Sequence, residues 1–185
     1  MKNIIKTPLL LLFLLLITAS CKNEKSLQAY LLESQEKKEF ITLDIPTSFL
    51  KLKSQDVSED VKVTLESIRK VNLVALPFEG NESAYEDEKT TLKELFKDNN
   101  EYKTLMSMKA KGMNVKLYYS GDTEAINEVI AFGYGKKVGV GVARLLGSNM
   151  KPAKIIEMMN SIKIDPDNIN LKQFKTVFQK KIDSI

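Results

Sequence analysis

The sequence contains no histidine, no tryptophan and one cysteine, Cys21. Each absence closes off chemistry. Without imidazole there is no histidine general base, no Ser-His or Cys-His nucleophile pair and no histidine metal ligand. A single thiol makes neither an internal disulfide nor a Cys-rich zinc site. The lack of indole removes a common platform for stacking sugars. An excess of either charge is missing too. Lys+Arg total 28 against Asp+Glu 24, a net +4 that falls to +2 once Lys2 and Lys6 near the start are set aside. That balance argues against a nucleic-acid partner, which calls for a concentrated basic surface. The apolar run Leu9–Ile17 is unbroken but far shorter than the about 20 residues a spanning helix needs.

What is present begins at that run. Lys2 and Lys6 precede it, Thr18-Ala19-Ser20 supplies small residues after it, and Lys22, Glu24 and Lys25 end it abruptly. This is the layout of a secretory signal. The lone cysteine falls directly after the small residues, and the whole segment resembles a bacterial lipoprotein signal. The resemblance implies cleavage between Ser20 and Cys21, a diacylglyceryl thioether on Cys21 and an acylated new amine. Two or more acyl chains anchor a protein stably without a spanning helix. Thr18 stands where the usual lipobox has leucine, a looser form common in Bacteroidetes-type bacteria. Lys22 stands where an aspartate would favour the inner membrane, which points to the outer membrane, on its periplasmic side or at the cell surface. The competing reading is a plain signal peptide with an incidental thiol.

The remaining 165 positions read as one domain with short appendages at either end. Ser26 caps a helix over 26–37, with Leu27, Tyr30 and Leu31 at helical spacing. Ile41, Leu43 and Ile45 alternate in a strand that Pro46 ends. Phe49, Leu50 and Leu52 suggest a helical turn. Asp56 with Glu59, and Ser83 with Glu86, read as capping boxes for two further helices. Val71–Phe78 between them is apolar apart from Asn72, as in a strand buried on both faces. From Tyr102 to Leu146 four strands follow, broken at Lys111-Gly112, Ser120-Gly121-Asp122 and Gly135-Lys136. Pro152 opens another helix with the stripe Ile155, Ile156, Met159 and Ile162. Leu171, Phe174, Phe178 and Ile182 make a last stripe, flanked by Lys172, Lys175, Lys180 and Lys181. The expectation is α+β: a mostly antiparallel sheet with a four-strand C-terminal meander and helices packed on one face. The divisions are a signal peptide over 1–20, a lipidated N-terminus and short tether over 21–25, the α+β domain over 26–164 and an amphipathic helix extension over 165–185.

The phrases "YKTLMSMKAKGMNVKLYYS", "INEVIAFGYGKKVGVGVARLLG" and "KPAKIIEMMNSI" resemble the domain-of-unknown-function 4252 family of Bacteroidetes-type envelope lipoproteins. The resemblance runs from about Ser26 to Ile164 and is strongest after Tyr102. It implies a lipid-anchored α+β module, and it brings no activity and no catalytic residues.

Candidate chemistry is sparse. The glycines from Gly133 to Gly147 do not fit a phosphate loop: Val138 and Arg144 occupy the positions of the third glycine, and Gly135-Lys136 is followed by Lys137. Gly139, Gly141 and Ala143 share one face of a strand, opposite Val138, Val140 and Val142. They predict a bare strip, either for close packing of a helix or as a shallow ligand groove. Glu79, Glu82, Glu86, Asp87 and Glu88 lack the loop spacing of a calcium site, and the Asp165-x-Asp167 start lacks the later ligands. One of Tyr118 and Tyr119 is expected to face outward. The final stripe, with Lys172, Phe174, Lys175 and Phe178, reads as a helix docked on its own domain or as a partner- or membrane-binding helix. No catalytic residue, metal or cofactor is expected. The leading reading is a non-catalytic, lipid-anchored envelope module that binds a protein partner or supports assembly or signalling. A small-ligand carrier comes second, and an Asp/Glu-dependent hydrolase a distant third.

Overall fold

The computed structural model describes residues 26–164 except Gln55 and Lys111. Ser20, Cys21 and the expected signal and tether lie outside the described residues, as do Asp165, Asp167 and the stripe from Leu171 to Ile182. The elements run α1 (Leu27–Gln35), β1 (Ile41–Ile45), a 3₁₀ turn (Thr47–Phe49), β2 (Leu50–Leu52), α2 (Glu59–Glu66), β3 (Lys70–Pro77), α3 (Glu82–Phe96), β4 (Lys103–Ala110), β5 (Met113–Asp122), β6 (Ala125–Gly135), β7 (Gly139–Met150), α4 (Pro152–Ser161) and β8 (Ile162–Ile164).

The fold is α+β. One antiparallel sheet has the order β1-β3-β7-β6-β5-β4. The meander β4 to β7 is present as expected, and β3 joins it through β7. Residues Phe49–Leu52 are not a helical turn. Three residues form the 3₁₀ turn, and Leu50–Leu52 then pairs with Ile162–Ile164 as a two-stranded ribbon.

Local chemistry sets the helix starts. The Ser26 side chain accepts a hydrogen bond from the Ala29 N–H at 3.1 Å, the expected cap of α1. The two expected capping boxes do not form. Helix α2 starts at Glu59 behind Ser58, and the Ser58 hydroxyl donates to Glu157 of α4 at 3.2 Å. Helix α3 starts at Glu82 behind Asn81, while Glu86 pairs with Lys89 on the next turn. In both helices the glutamate of the expected box pairs with a lysine three residues on, Glu59 with Lys62 at 3.2 Å and Glu86 with Lys89.

Beta-strand alternation divides the core in two. Val74 and Leu76 of β3 point to one face with Ile130, Phe132, Val140 and Val142, and α1 and α3 cover them with Leu27, Leu31, Leu92 and Phe96. Each such leucine, fully buried, contributes about 2 kcal/mol. Phe96 stacks on Tyr118, ring centroids 4.5 Å apart. Val71 points to the opposite face. There α2, α4 and the β2–β8 ribbon pack Val61, Leu50, Ile155 and Met158 against Ile45, Tyr119, Val129 and Met150. Helices therefore layer one face with α1 and α3, and α2 and α4 cover one end of the other. Tyr118 and Tyr119 are consequently both buried, one in each core, and neither is outward. On α4 the buried residues are Ile155 and Met158. Met159, expected in the stripe, is 39% exposed.

Candidate binding face

The described residues cover the face bearing the second core only in part. Next to that core, strand register places six apolar residues in a line across the whole sheet: Leu43, Leu73, Ala143, Ala131, Leu117 and Met106. One step further along every strand lie Ile41, Ala75, Gly141, Gly133, Val115 and Met108. Neither row contains a polar side chain, although an antiparallel sheet that faces water alternates apolar with polar. No helix among the described residues joins Ala75, Val138, Ile41 and Met113, which form a small cluster of their own. Together they frame an open, almost wholly apolar hollow of about 270 Å³, floored by Ala75, Ala131, Gly133, Gly139, Gly141 and Ala143 and walled by Leu73, Met113 and Val115.

The expected strip of Gly139, Gly141 and Ala143 is thus brought together. Val138 is not opposite it, as alternation would have it. Gly139 has φ +137°, which turns the chain and puts Val138 beside Ala75 on the hollow side. The glycines answer to the neighbouring strand. A Cβ on Gly141 would lie 2.5 Å from the Val74 carbonyl oxygen and 2.8 Å from the Ala75 Cα. Close approach of β3 to β7 demands glycine, and the bare floor follows from it.

The opposite face carries polar groups that sequence reasoning missed. Glu128 on β6 is only 6% exposed, and Arg144 on β7 donates to it from Nε at 2.6 Å. The Arg144 Nη1 donates in turn to Gln28 on α1 at 2.6 Å. Asn72 lies across from Arg144 in the register and donates to Asp44 on β1. Burial, and then the Glu128 charge, push the Tyr102 hydroxyl well above the ordinary phenol range. Arg144 thus ties α1 to the sheet through Gln28 while its Nε holds the Glu128 carboxylate. The only sequence signal was a lone glutamate in an apolar run.

Two of the acidic residues around the start of α3 form separate ion pairs. Glu86 meets Lys89, and Glu88 meets Lys37 at 3.0 Å. Lys89 holds the Glu86 carboxyl below its ordinary value. Among the described residues no group of three or more Cys, Asp or Glu could hold a metal ion, and no helix is long and apolar enough to cross a membrane. Lys172, Phe174, Lys175 and Phe178 lie outside the described residues.

These features define an α+β module with a two-row apolar sheet face. Over residues 30–158 the chain matches the model of the family described as Domain of unknown function (DUF4252), and it belongs to that family. No curated protein and no solved structure matches the chain.

Proposed function

We propose that this protein is a non-catalytic, lipid-anchored module of the bacterial cell envelope, held by Cys21 at the outer membrane, that binds a protein partner through the apolar rows of its sheet. One observation carries the reading: twelve register positions across six strands hold no polar side chain, and most of them, Leu117 and Ala75 apart, lie outside the buried core. Contiguous apolar surface of that kind marks interaction sites on soluble domains. The carrier reading rests on the same hollow and is less well supported, because the hollow is open and its lining offers few polar groups to orient a ligand. The hydrolase reading has less support still, since Glu128, the most deeply buried carboxylate among the described residues, is engaged by Arg144.

The test has two arms. Intact mass of protein extracted from host membranes, wild type beside Cys21→Ser, reads the anchor: loss of residues 1–20 with added acyl mass only in the wild type supports it. Chemical crosslinking in intact envelopes, wild type beside Ala143→Glu, reads the face. A heteromeric product lost in Ala143→Glu, whose fold is checked by circular dichroism, supports partner binding. A product unchanged by that charge contradicts it.

A further inference from the structure

Strand β4 (Lys103–Ala110) lies at one edge of the six-stranded sheet, with β1 at the other. It bonds to β5 on one side, and among the described residues no backbone hydrogen bond reaches its outer side. A register shift between Thr104 and Met106 marks a bulge near its start, and pairing from Met106 to Ala110 is regular. Such an edge is a template for one more strand.

The two faces of β4 carry different chemistry. Met106 and Met108 end the two apolar rows, and Met108 is exposed. On the other face Ser107 lies opposite Lys116, and Lys109 lies opposite Asn114, which is in turn opposite Tyr134. Lys93 of α3 stands over the Tyr134 ring, 4.9 Å from its centroid. Lys93, Lys109 and Lys116 therefore gather on one face beside the edge. All three are exposed, and none forms an ion pair among the described residues. Glu86 of the same helix is already held by Lys89. The opposite edge lacks this combination: β1 has five residues, Pro46 follows it, and Lys70 beside it is paired with Asp44.

We propose that the outer edge of β4 takes an extended segment of the protein partner as an added strand, with apolar side chains beside Met106 and Met108 and carboxylates beside Lys109 and Lys116. Main-chain hydrogen bonds supply the attachment, and alternate side chains supply the selectivity. Successive residues of an added strand fall on opposite faces. One set prolongs the apolar rows, and the other meets the ammonium groups. Lysines and a bulge also keep an edge from pairing indiscriminately. Here they disfavour a basic or wholly apolar segment and leave an acidic, alternating one as the complement. A membrane surface rich in anionic lipid would meet the lysines but leave the free N–H and C=O groups of the edge unused. The inference rests on the partner-binding reading and names the form of the partner.

The test titrates the full-length chain into a fluorescent peptide of alternating valine and glutamate, about ten residues long, and follows anisotropy. Binding is expected, at least about tenfold weaker with Lys109→Glu plus Lys116→Glu, and restored in that variant when lysine replaces glutamate in the peptide. Amide hydrogen exchange from Met106 to Lys109 is expected to slow in the complex. Circular dichroism checks that the variant is folded. No binding to the wild type overturns the inference, as does equal binding to the variant, or binding that leaves exchange in β4 unchanged. Phosphatidylglycerol vesicles that bind the wild type and not the variant, while the peptide binds neither, overturn it in favour of a membrane surface. If the peptide fails while the crosslink is still lost in Ala143→Glu, the partner covers the rows without adding a strand, and the partner reading stands.

Discussion

Gly133 of β6 and Gly141 of β7 are cross-strand partners at the centre of the apolar face, yet only one of them is hemmed in by backbone. A Cβ at Gly133 would meet the terminal methyl of Met113 at 3.0 Å, and a flexible side chain can yield. A Cβ at Gly141 would meet the Val74 carbonyl and the Ala75 backbone, which cannot. Gly141→Ala is therefore expected to cost about 2 kcal/mol as an overpacking change. Gly133→Ala should stay within about 1 kcal/mol of wild type, helped by the lower entropy of its unfolded chain. Urea denaturation of the two variants distinguishes them, and equal losses would remove the argument from close strand approach.

Removing one member of the Glu128–Arg144 pair should be far worse than removing both. Arg144→Met leaves a carboxylate that is 6% exposed without its counter-charge, and breaking such a pair costs about 3–5 kcal/mol. Glu128→Leu combined with Arg144→Met should recover most of that loss, because two buried charges are then absent together. A double-mutant cycle by urea melts measures the coupling. Additive losses would show that the pair does not act as a unit.

Much of this fold was legible because period-2 and period-3.6 patterns are local. The Ser26 cap, the alternation of Ile41, Leu43 and Ile45, and the meander from Lys103 to Met150 all follow from neighbours within a few residues. What was hidden depends on distant partners. Leu50–Leu52 is too short to declare itself a strand without Ile162–Ile164 beside it. Tyr119 is buried because α2 and α4 reach the end of a face that alternation alone leaves open. Glu128 and Arg144 meet only because register brings β6 against β7 beneath Gln28. Of the candidate site, the strip Gly139, Gly141 and Ala143 was readable, whereas the apolar rows of β1, β5 and β4 that extend it to the sheet edges required the strand order.

Acid should loosen the contact between α2 and α4. Glu157 accepts from Lys154 at 2.9 Å and from Ser58 at 3.2 Å, and first the Lys154 hydrogen bond, then the Ser58 one, hold its carboxyl below the ordinary value of 4.5. A lowered carboxylate value means that this contribution is present above about pH 4.5 and is lost as the pH falls through the lowered value. Glu157→Gln should lower the thermal midpoint slightly at pH 7 and match wild type at the acid end. A gap that persists unchanged into acid would contradict the assignment.

Alkali should act through Tyr30. Its hydroxyl and Glu88 Oε2 are buried without a properly oriented hydrogen-bond partner among the described residues. Burial, and next the Glu88 charge, raise the phenol above its ordinary 10.0. The folded state therefore keeps a proton that the unfolded chain releases, so stability is full below pH 10 and falls as the pH rises. Tyr30→Phe removes a buried hydroxyl that lacks a well-aligned partner, so it should not lower stability at pH 7. Above pH 10 the variant should outlast wild type in melts followed by circular dichroism. A loss of stability at neutral pH would show that the hydroxyl has a bonding partner.

The central claim is that the apolar rows are where this protein meets another. The most direct measurement places a photoreactive side chain at Ala131, on the face, and separately at Ser83, on the exposed first turn of α3. Each full-length variant is irradiated in intact cells of the native host. The account predicts a discrete adduct heavier than the chain from position 131, absent from position 83, and containing a second polypeptide by mass spectrometry. No heavier adduct from position 131, or the same adducts from both positions, would contradict it.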